Sequence, residues 1–224
     1  MERPSVAAMV LAVGAVALSA ACGDGAATPP REINVGDLAT MVLQREDVPA
    51  GLRLLEEGGP EGRGVVEPMY DPRAEAMFLR EFERPRDEAA PGTVVCITNS
   101  VLLYETPHDA AETFQEAEEL SKIFEKESQM DETDTAWSEI DRASLPQLGD
   151  QLKVIRFVSP NQTFCSSYEN EPAEGFMIVF LRRNVAAGLF MYAYERGASL
   201  EEAIELAQKQ ASRIEDVFEG ESRD

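Results

Sequence analysis

The chain has 224 residues, of which 42 are Asp or Glu and 20 are Lys or Arg, giving a formal net charge of −22. A surface this acidic repels phosphate backbones and anionic lipid headgroups, so the charge excludes nucleic-acid binding and electrostatic attachment to a membrane surface. With 28% charged and 44% hydrophobic residues, the composition predicts one soluble globular body. The acidity indicates solubility rather than a dedicated cation site.

The first 21 residues have the layout of a bacterial secretion signal. Arg3 provides a positive charge, residues 6–17 form an apolar stretch, and small residues lead to Cys22. The apolar stretch is shorter than the roughly 20 residues that a membrane-spanning helix needs. We therefore predict that residues 1–21 are a cleaved signal peptide rather than a permanent anchor.

Residues 18–22 resemble the lipobox of bacterial lipoproteins, in which the cysteine accepts a lipid. Leu18 lies four places before Cys22 instead of the usual three, and Ser19 stands where the motif has a large aliphatic residue. Residues 22–32 have the composition of a flexible tether. The resemblance implies lipidation at Cys22 and attachment to the extracytoplasmic face of the cell membrane. The alternative is ordinary secretion with an unmodified Cys22.

The sequence of the first half of the domain predicts alternating helices and strands. Apolar residues at helical spacing predict a first helix within 33–47, and residues 52–55 predict a short strand. The glycine-rich stretch 58–64 is predicted to be a loop, because its spacing matches neither nucleotide-binding fingerprint. Asp71-Pro72 has the form of a helix start, so a second helix is predicted to run to about Arg84.

The β-branched run 93–104 predicts a long strand that leads directly into a third helix. Alternation along this strand places one set of residues on a single face: Val95, Ile97, Val101 and Leu103. The opposite face receives Cys96, Thr98 and Ser100. Thr106-Pro107 starts the third helix with a cap and a proline at its first position. Its inner side is predicted to carry Ala110, Phe114, Ala117 and Phe124.

The second half predicts several antiparallel strands and a closing helix. Residues 131–141 are acidic and resemble a calcium loop only faintly, because the required glycine and terminal glutamate are missing. Strands are predicted at 151–158, 163–169, 175–182 and 185–194, with Arg183-Asn184 as the last turn and Phe176–Leu181 as the central strand. Ser199 caps a final helix. The order predicts a single α+β domain over 33–220, an antiparallel sheet packed with helices, followed by a tail at 221–224.

Two cysteines, Cys96 and Cys165, lie outside the signal peptide. An even pair in an exported chain predicts one disulfide, which closes a long loop and stabilises the fold by about 4 kcal/mol on a chain-entropy estimate. The alternatives are a metal site or a reactive thiol, and the sequence places no supporting CxxC motif or Cys-His cluster beside either cysteine.

The sequence contains no recognisable catalytic motif, and it predicts no metal ligands and no cofactor. The single histidine, His108, falls in the first turn of a predicted helix and is expected to be exposed. Aromatic residues on the later strands favour core packing over an apolar pocket: Phe176, Phe180, Phe190, Tyr192 and Tyr194. A hydrolase that uses two carboxylates stays open, because which acidic residues converge is decided only by the tertiary structure.

Several stretches together resemble the extracytoplasmic sensor-like domains that occur as lipoproteins or fused outside bacterial Ser/Thr kinases. They include residues 43–51, Leu148-Gly149-Asp150 and Arg182-Arg183-Asn184 before the final helix. The resemblance implies a domain of helices and antiparallel sheet with a groove. A weaker resemblance links the chain to the Mog1/PsbP-like lipoproteins, which also place an antiparallel sheet between helices.

Two functional hypotheses follow. The first is a non-catalytic, membrane-anchored extracytoplasmic lipoprotein that binds a small-molecule or polymeric envelope ligand, or a protein partner, and is attached to the membrane through its N-terminal lipid. The second is an envelope hydrolase that uses a pair of carboxylates.

Overall fold

The computed structural model describes residues 33, 35–58, 73–115, 135–160, 165–168 and 171–220. The predicted signal peptide, the tether with Cys22 and the tail lie outside these residues, as do most of the glycine-rich loop and the acidic stretch before Thr135. Within the described ranges, no helix combines the length and the apolar character needed to cross a membrane.

A single antiparallel sheet forms the centre of the described structure. Its strands are β1 (Arg53–Gly58), β2 (Ala76–Glu83), β3 (Val94–Leu103), β4 (Ala136–Glu139), β5 (Gln151–Ser159), β6 (Ala173–Arg182) and β7 (Val185–Tyr194). They lie side by side in the order β1-β2-β3-β7-β6-β5-β4, and every neighbouring pair is antiparallel. The prediction of one α+β domain with an antiparallel sheet is confirmed.

Helices pack on both faces of the sheet: α1 (Val35–Met41), α2 (residues 107–115) and α3 (Leu200–Gly220). The predicted caps form as expected. The Thr106 hydroxyl accepts a hydrogen bond from the Asp109 amide at 3.2 Å, and the Ser199 hydroxyl accepts one from the Glu202 amide at 3.2 Å. These caps fix where α2 and α3 begin.

The face covered by α1 and α3, here the α3 face, holds the largest hydrophobic cluster. α3 contributes Ala203, Leu206, Ala207, Ile214 and Phe218, and the α1 segment contributes Leu38, Met41, Val42 and Leu43. The opposite face, here the α2 face, carries two smaller clusters. One packs Ala110 and Phe114 of α2 against Met77, Leu102, Tyr104, Leu181 and Ala186. The other contains Cys96 and Cys165.

β3 is buried along its full length, and its polar residues are therefore shielded from water. On the α3 face, Asn99 is fully buried, with both polar ends of its side chain bonded. Its Oδ1 accepts from the Leu43 amide at 2.7 Å, and its Nδ2 donates to the Arg80 carbonyl at 3.1 Å. These two bonds tie the segment after α1 to the sheet.

The second predicted helix is wrong, because Ala76–Glu83 forms β2. β2 lies between β1 and β3 and has covered faces on both sides, so apolar residues occur at adjacent positions such as Met77 and Phe78. Adjacent apolar residues imitate helical spacing in the sequence. Strand pairing overrides that local signal.

The faces of β3 also differ from the prediction at one position. A bulge lies between Val94 and Cys96: these two residues pair with the adjacent residues Ala193 and Tyr192 of β7, and β3 has one extra residue between them. Val95 consequently packs with Cys96 on the α2 face, while Val94 joins the core on the α3 face. Ile97, Val101 and Leu103 lie on the α3 face as predicted.

Four further predictions about the elements are corrected. The first helix ends at Met41 rather than near Asp47. The strand predicted at 163–169 is wrong, because Ser166–Tyr168 forms a 3₁₀ turn. β4 was missed, because its four residues are mostly exposed and polar. β7, not β6, occupies the central place in the sheet, although β6 is internal as expected.

Gly175 offers a test of packing on the α2 face. It lies opposite Tyr192, and a methyl group there would overlap the Phe157 ring and the Met191 carbonyl oxygen. We expect Gly175→Ala to lower the free energy of unfolding by about 1–3 kcal/mol, measured by urea denaturation. Gly220→Ala is the matched control, because a Cβ at Gly220 meets no atom. Its free energy should stay the same or rise by up to about 1 kcal/mol. Equal effects of the two substitutions would contradict this account.

Candidate functional site

The structure brings Cys96 and Cys165 together on the α2 face, beside two buried glutamates of β2. Glu81 pairs with Thr98 and Glu83 pairs with Cys96 across the β2–β3 ladder, so alternation points both carboxylates to the same face as the Cys96 sulfur. Cys165 lies at the start of the Ser166–Tyr168 turn. We call Glu81, Glu83, Cys96 and Cys165 the thiol–carboxylate cluster.

Hydrogen bonds connect the four members of the cluster. The Cys96 thiol donates to Glu81 Oε1 across 3.8 Å, and it can turn to donate instead to the Cys165 sulfur, since its one proton serves one acceptor at a time. The Cys165 thiol hydrogen-bonds to Glu83, whose Oε1 also accepts from the Ser167 amide at 2.9 Å. Each thiol therefore faces one carboxylate. The predicted disulfide stays a prediction, and the two sulfurs are neighbours as it requires.

The turn that carries Cys165 is held against the end of β2. The Tyr168 hydroxyl donates to the Arg84 carbonyl at 2.9 Å, and the Tyr168 amide donates to the Cys165 carbonyl at 3.0 Å. The Ser167 amide is held by Glu83. These contacts fix the position of Cys165 relative to Cys96 without a regular strand at this point.

Aromatic rings form the rest of the surroundings on this face. Phe157 contacts Tyr192 with ring centroids 4.8 Å apart, and Phe190 stacks on Tyr192 at 5.9 Å. Trp137 of the edge strand β4 lies 5.4 Å from Phe157. These rings exclude water from the sulfur atoms, and they lower the local dielectric around the carboxylates.

Burial and like charge raise the pKa of three members of the cluster: Glu81, Cys96 and Cys165. Burial, then the charges of Glu83 and Glu56, raises the pKa of Glu81 to about 7, and the Cys96 thiol partly opposes this. The hydrogen bond to Cys165, burial and the nearby carboxylates raise the pKa of the Cys96 thiol well above its usual value. For Cys165, the hydrogen bond from Cys96 lowers the thiol pKa, but burial and the two carboxylates outweigh it and raise the value.

These shifts keep both thiols protonated near neutral pH, whereas Glu81 is poised between its two states. A nucleophilic cysteine needs a stabilised thiolate, usually beside a positive charge or a helix N-terminus. Here the neighbours are carboxylates, so the cluster does not have the electrostatics of a catalytic thiol.

The carboxylate pair meets only part of what a two-carboxylate hydrolase requires. Glu81 has the raised pKa of a general acid, and Glu83 lies two residues away. However, both side chains come from one strand and point the same way, so they do not face each other across a cleft. They expose only 8% and 6% of their surface.

The cluster also does not have the placement of a metal centre. In the part of the chain that the structure describes, no group of three or more His, Cys, Asp or Glu side chains is arranged to bind a metal ion. The metal alternative for the cysteines therefore gains no support from these residues.

Other positions singled out in the sequence do not assemble into a site. His108 is 80% exposed in its side chain and lies 3.8 Å from Glu112, one turn along α2. The aromatic residues of the late strands divide between the two faces, with Phe176 and Phe180 in the α3-face core and Phe190 and Tyr192 on the α2 face. Core packing is confirmed for these rings.

A surface depression of about 310 Å³ lies on the other side of the molecule, between the segment after α1 and α3. Several of its lining residues are acidic: Glu46, Asp47, Glu202 and Glu205. Arg213 pairs with Asp47 at 2.7 Å and with Glu46 at 3.0 Å, and Lys209 donates to the Asp47 carbonyl. Arg213 and Lys209 therefore offset part of the negative charge of the depression.

Glu81 and Glu83 were not identified from the sequence, because they fell within the wrongly predicted helix. The signal was present in the pattern of residues 76–83, where acidic residues occupy alternate positions at the end of a largely apolar run. That alternation indicates a strand whose carboxylates share a face. Only the pairing with β3 shows that this face is buried.

The comparisons with known proteins support the fold. The chain is similar to the extracellular domain of PknH from Mycobacterium tuberculosis, with a TM-score of 0.54 and 11% sequence identity. The match covers 84% of this chain and 99% of that chain. No protein-family model matches the sequence, and a search of curated proteins found no match. At the level of fold, the similarity agrees with the resemblance to extracytoplasmic sensor-like domains.

The buried Glu81 makes stability depend on pH in a specific direction. Its folded pKa of about 7 lies above the ordinary 4.5, so its contribution is full below about pH 4.5 and is lost as pH rises through 7. Glu81→Gln removes this loss. We expect the difference in unfolding free energy, variant minus wild type, to be about 2 kcal/mol larger at pH 8 than at pH 5.

The measurement is urea denaturation of both proteins at pH 5 and pH 8 with a reductant present, so that both cysteines stay as thiols. Glu219→Gln is the control, because Glu219 is exposed at the end of α3. Its difference from the wild type should change by less than about 0.5 kcal/mol between the two pH values. A pH-independent effect of Glu81→Gln would show that this carboxylate is not desolvated.

Proposed function

We propose that this chain is a lipid-anchored extracytoplasmic domain that binds an envelope ligand or a protein partner and performs no catalysis. The observation that carries the proposal is the similarity, over most of both chains, to a domain that is itself extracellular. The sequence adds a basic residue, an apolar stretch and a lipobox-like motif ending at Cys22.

Three features of the described structure support a binding role over an enzymatic one. The cysteines are surrounded by carboxylates, which oppose thiolate formation. The buried carboxylates share one strand and do not flank a cleft. The single histidine, the usual type of general base near neutral pH, is exposed and lies beside Glu112 of its own helix rather than in the cluster.

The lipid anchor accounts for how an acidic protein stays at a membrane. A net charge of −22 opposes attachment to anionic headgroups, so retention requires apolar insertion. Each buried methylene of an acyl chain contributes about 0.8 kcal/mol, and two or three chains on one cysteine give a stable anchor. An acylated Cys22 with the 22–32 tether would hold the folded domain close to the membrane surface.

We expect Cys22→Ser to abolish acylation and to release the protein from the membrane fraction. The measurement is metabolic labelling with a fatty-acid analogue, followed by fractionation and protease treatment of intact cells. Ser19→Leu is the matched control, because it restores the large aliphatic residue that the lipobox has at this position. Its labelling should equal or exceed that of the wild type. Unchanged membrane retention of Cys22→Ser, or protection of the wild type from external protease, would contradict the proposal.

Binding and hydrolysis give different results with purified cell-wall sacculi. Co-sedimentation of the chain without release of soluble fragments supports binding to the wall polymer. Release of fragments that Glu81→Gln abolishes would favour the carboxylate hydrolase and overturn the non-catalytic proposal. If neither occurs, the wall polymer is excluded as the ligand, and the proposal is restricted to a small molecule or a protein partner.

A further inference from the structure

The thiol–carboxylate cluster pairs two sulfur atoms that can be oxidised with two carboxylates that can take up protons. The Cys96 thiol can also donate to the Cys165 sulfur, and both cysteines lie in one buried cluster, so a disulfide between them requires only a local shift of the sulfurs. The carboxylates differ in their other partners. Glu83 also accepts from the Ser167 amide, whereas the Cys96 thiol is the only donor to Glu81 among the described residues.

We propose that Cys96 and Cys165 form a reversible dithiol–disulfide couple whose oxidation places a proton on Glu81. The oxidant is an external disulfide compound, which reacts when local opening exposes the two buried sulfurs. Its S–S bond breaks, and it takes two electrons and two protons from the two protein thiols to become a pair of thiols. The Cys96–Cys165 S–S bond forms in the same exchange. One further proton passes from solvent to the Glu81 carboxylate.

The added proton follows from the loss of a hydrogen-bond donor. A thiol donates its proton to Glu81, but a disulfide sulfur has no proton to donate. The other groups acting on this carboxylate are negative: Glu56 from β1 and Glu83 from β2 itself. From β3 and the Cys165 turn come only the sulfurs, and β7 contributes the neutral Tyr192, whose buried hydroxyl has a raised pKa. After oxidation, nothing in this set favours the ionised carboxylate.

The coupling makes oxidation easier at lower pH. Glu81 changes protonation near pH 7 when the thiols are reduced, and it holds its proton to a higher pH when they are oxidised. Exchange between the protein and a dithiol reagent moves two protons from one pair of thiols to the other and releases none, as long as all thiols stay protonated. A proton taken up by Glu81 is therefore visible as a pH dependence of the exchange equilibrium.

The experiment equilibrates the purified chain with mixtures of oxidised and reduced dithiothreitol between pH 5.5 and pH 8, approached from both the reduced and the oxidised protein. Acid quenching, alkylation and mass analysis give the fraction of the Cys96–Cys165 disulfide. We expect the equilibrium constant for oxidation to fall roughly three- to tenfold as pH rises across this range. This size corresponds to the loss of one weak hydrogen bond, from the Cys96 thiol to the charged Glu81 carboxylate. No disulfide at any ratio, or a constant independent of pH, would overturn the proposal.

Two variants assign the proton to one carboxylate. Glu81→Gln should give an exchange constant that does not change with pH. Glu83→Gln is the matched control on the same strand and face. It keeps Glu81 but removes a charge that raises its pKa, so the pH dependence should remain and move to lower pH. An unchanged pH dependence in Glu81→Gln would refute the assignment.

A direct measurement on the wild type does not depend on the variants folding. Carbon-detected NMR of glutamate carboxyl groups follows their titration in the reduced and in the oxidised protein. We expect one carboxyl that titrates near pH 7 in the reduced protein to titrate at higher pH after oxidation. No movement of any such titration on oxidation would overturn the proposal, whatever the exchange constants show.

Discussion

The burial of β3 on both faces is the constraint on which the rest of the structure depends. All ten of its residues are buried, with α1 and α3 on one side and α2 with the aromatic cluster on the other. A polar side chain on such a strand costs free energy when it is left without a partner, because water cannot reach it. Asn99 meets this demand on the α3 face by bonding the Leu43 amide and the Arg80 carbonyl.

On the α2 face, the same demand is met by less usual partners. The Cys96 thiol donates to Glu81 or to the Cys165 sulfur, and the Cys165 thiol bonds to Glu83. Two carboxylates in one buried place repel each other, and burial adds to the free energy required to ionise them. One of the two, Glu83, is supported by a backbone amide, while the other shifts its titration into the neutral range. The chemistry of this face follows from where β2 pairs with β3.

The prediction from the sequence was accurate where one local signal agreed with the tertiary structure. The strands β3, β5, β6 and β7, the Arg183-Asn184 turn and the capped helix after Ser199 all form close to their predicted positions. The prediction failed at Ala76–Glu83, where covered faces on both sides gave a helix-like pattern of apolar residues. It also failed at Ala136–Glu139, where an edge strand pairs with β5 and has only one partly buried side chain, Trp137. Both failures have one cause, since neither the neighbours of a strand nor the cover on its faces is encoded locally.

Local sequence was sufficient to predict the α+β class, the antiparallel hairpin of β6 and β7, and the pair of cysteines, because caps, turns and β-branched runs act over a few neighbouring residues. The approach of Cys96 to Cys165, and the burial of Glu81 and Glu83 beside them, emerged only from the folded chain. Residue 165 lies far along the chain from residues 81 and 96, and its approach depends on the order of strands in the sheet. Strand order is set by the packing of whole faces against helices, for which a short stretch of sequence carries no signal.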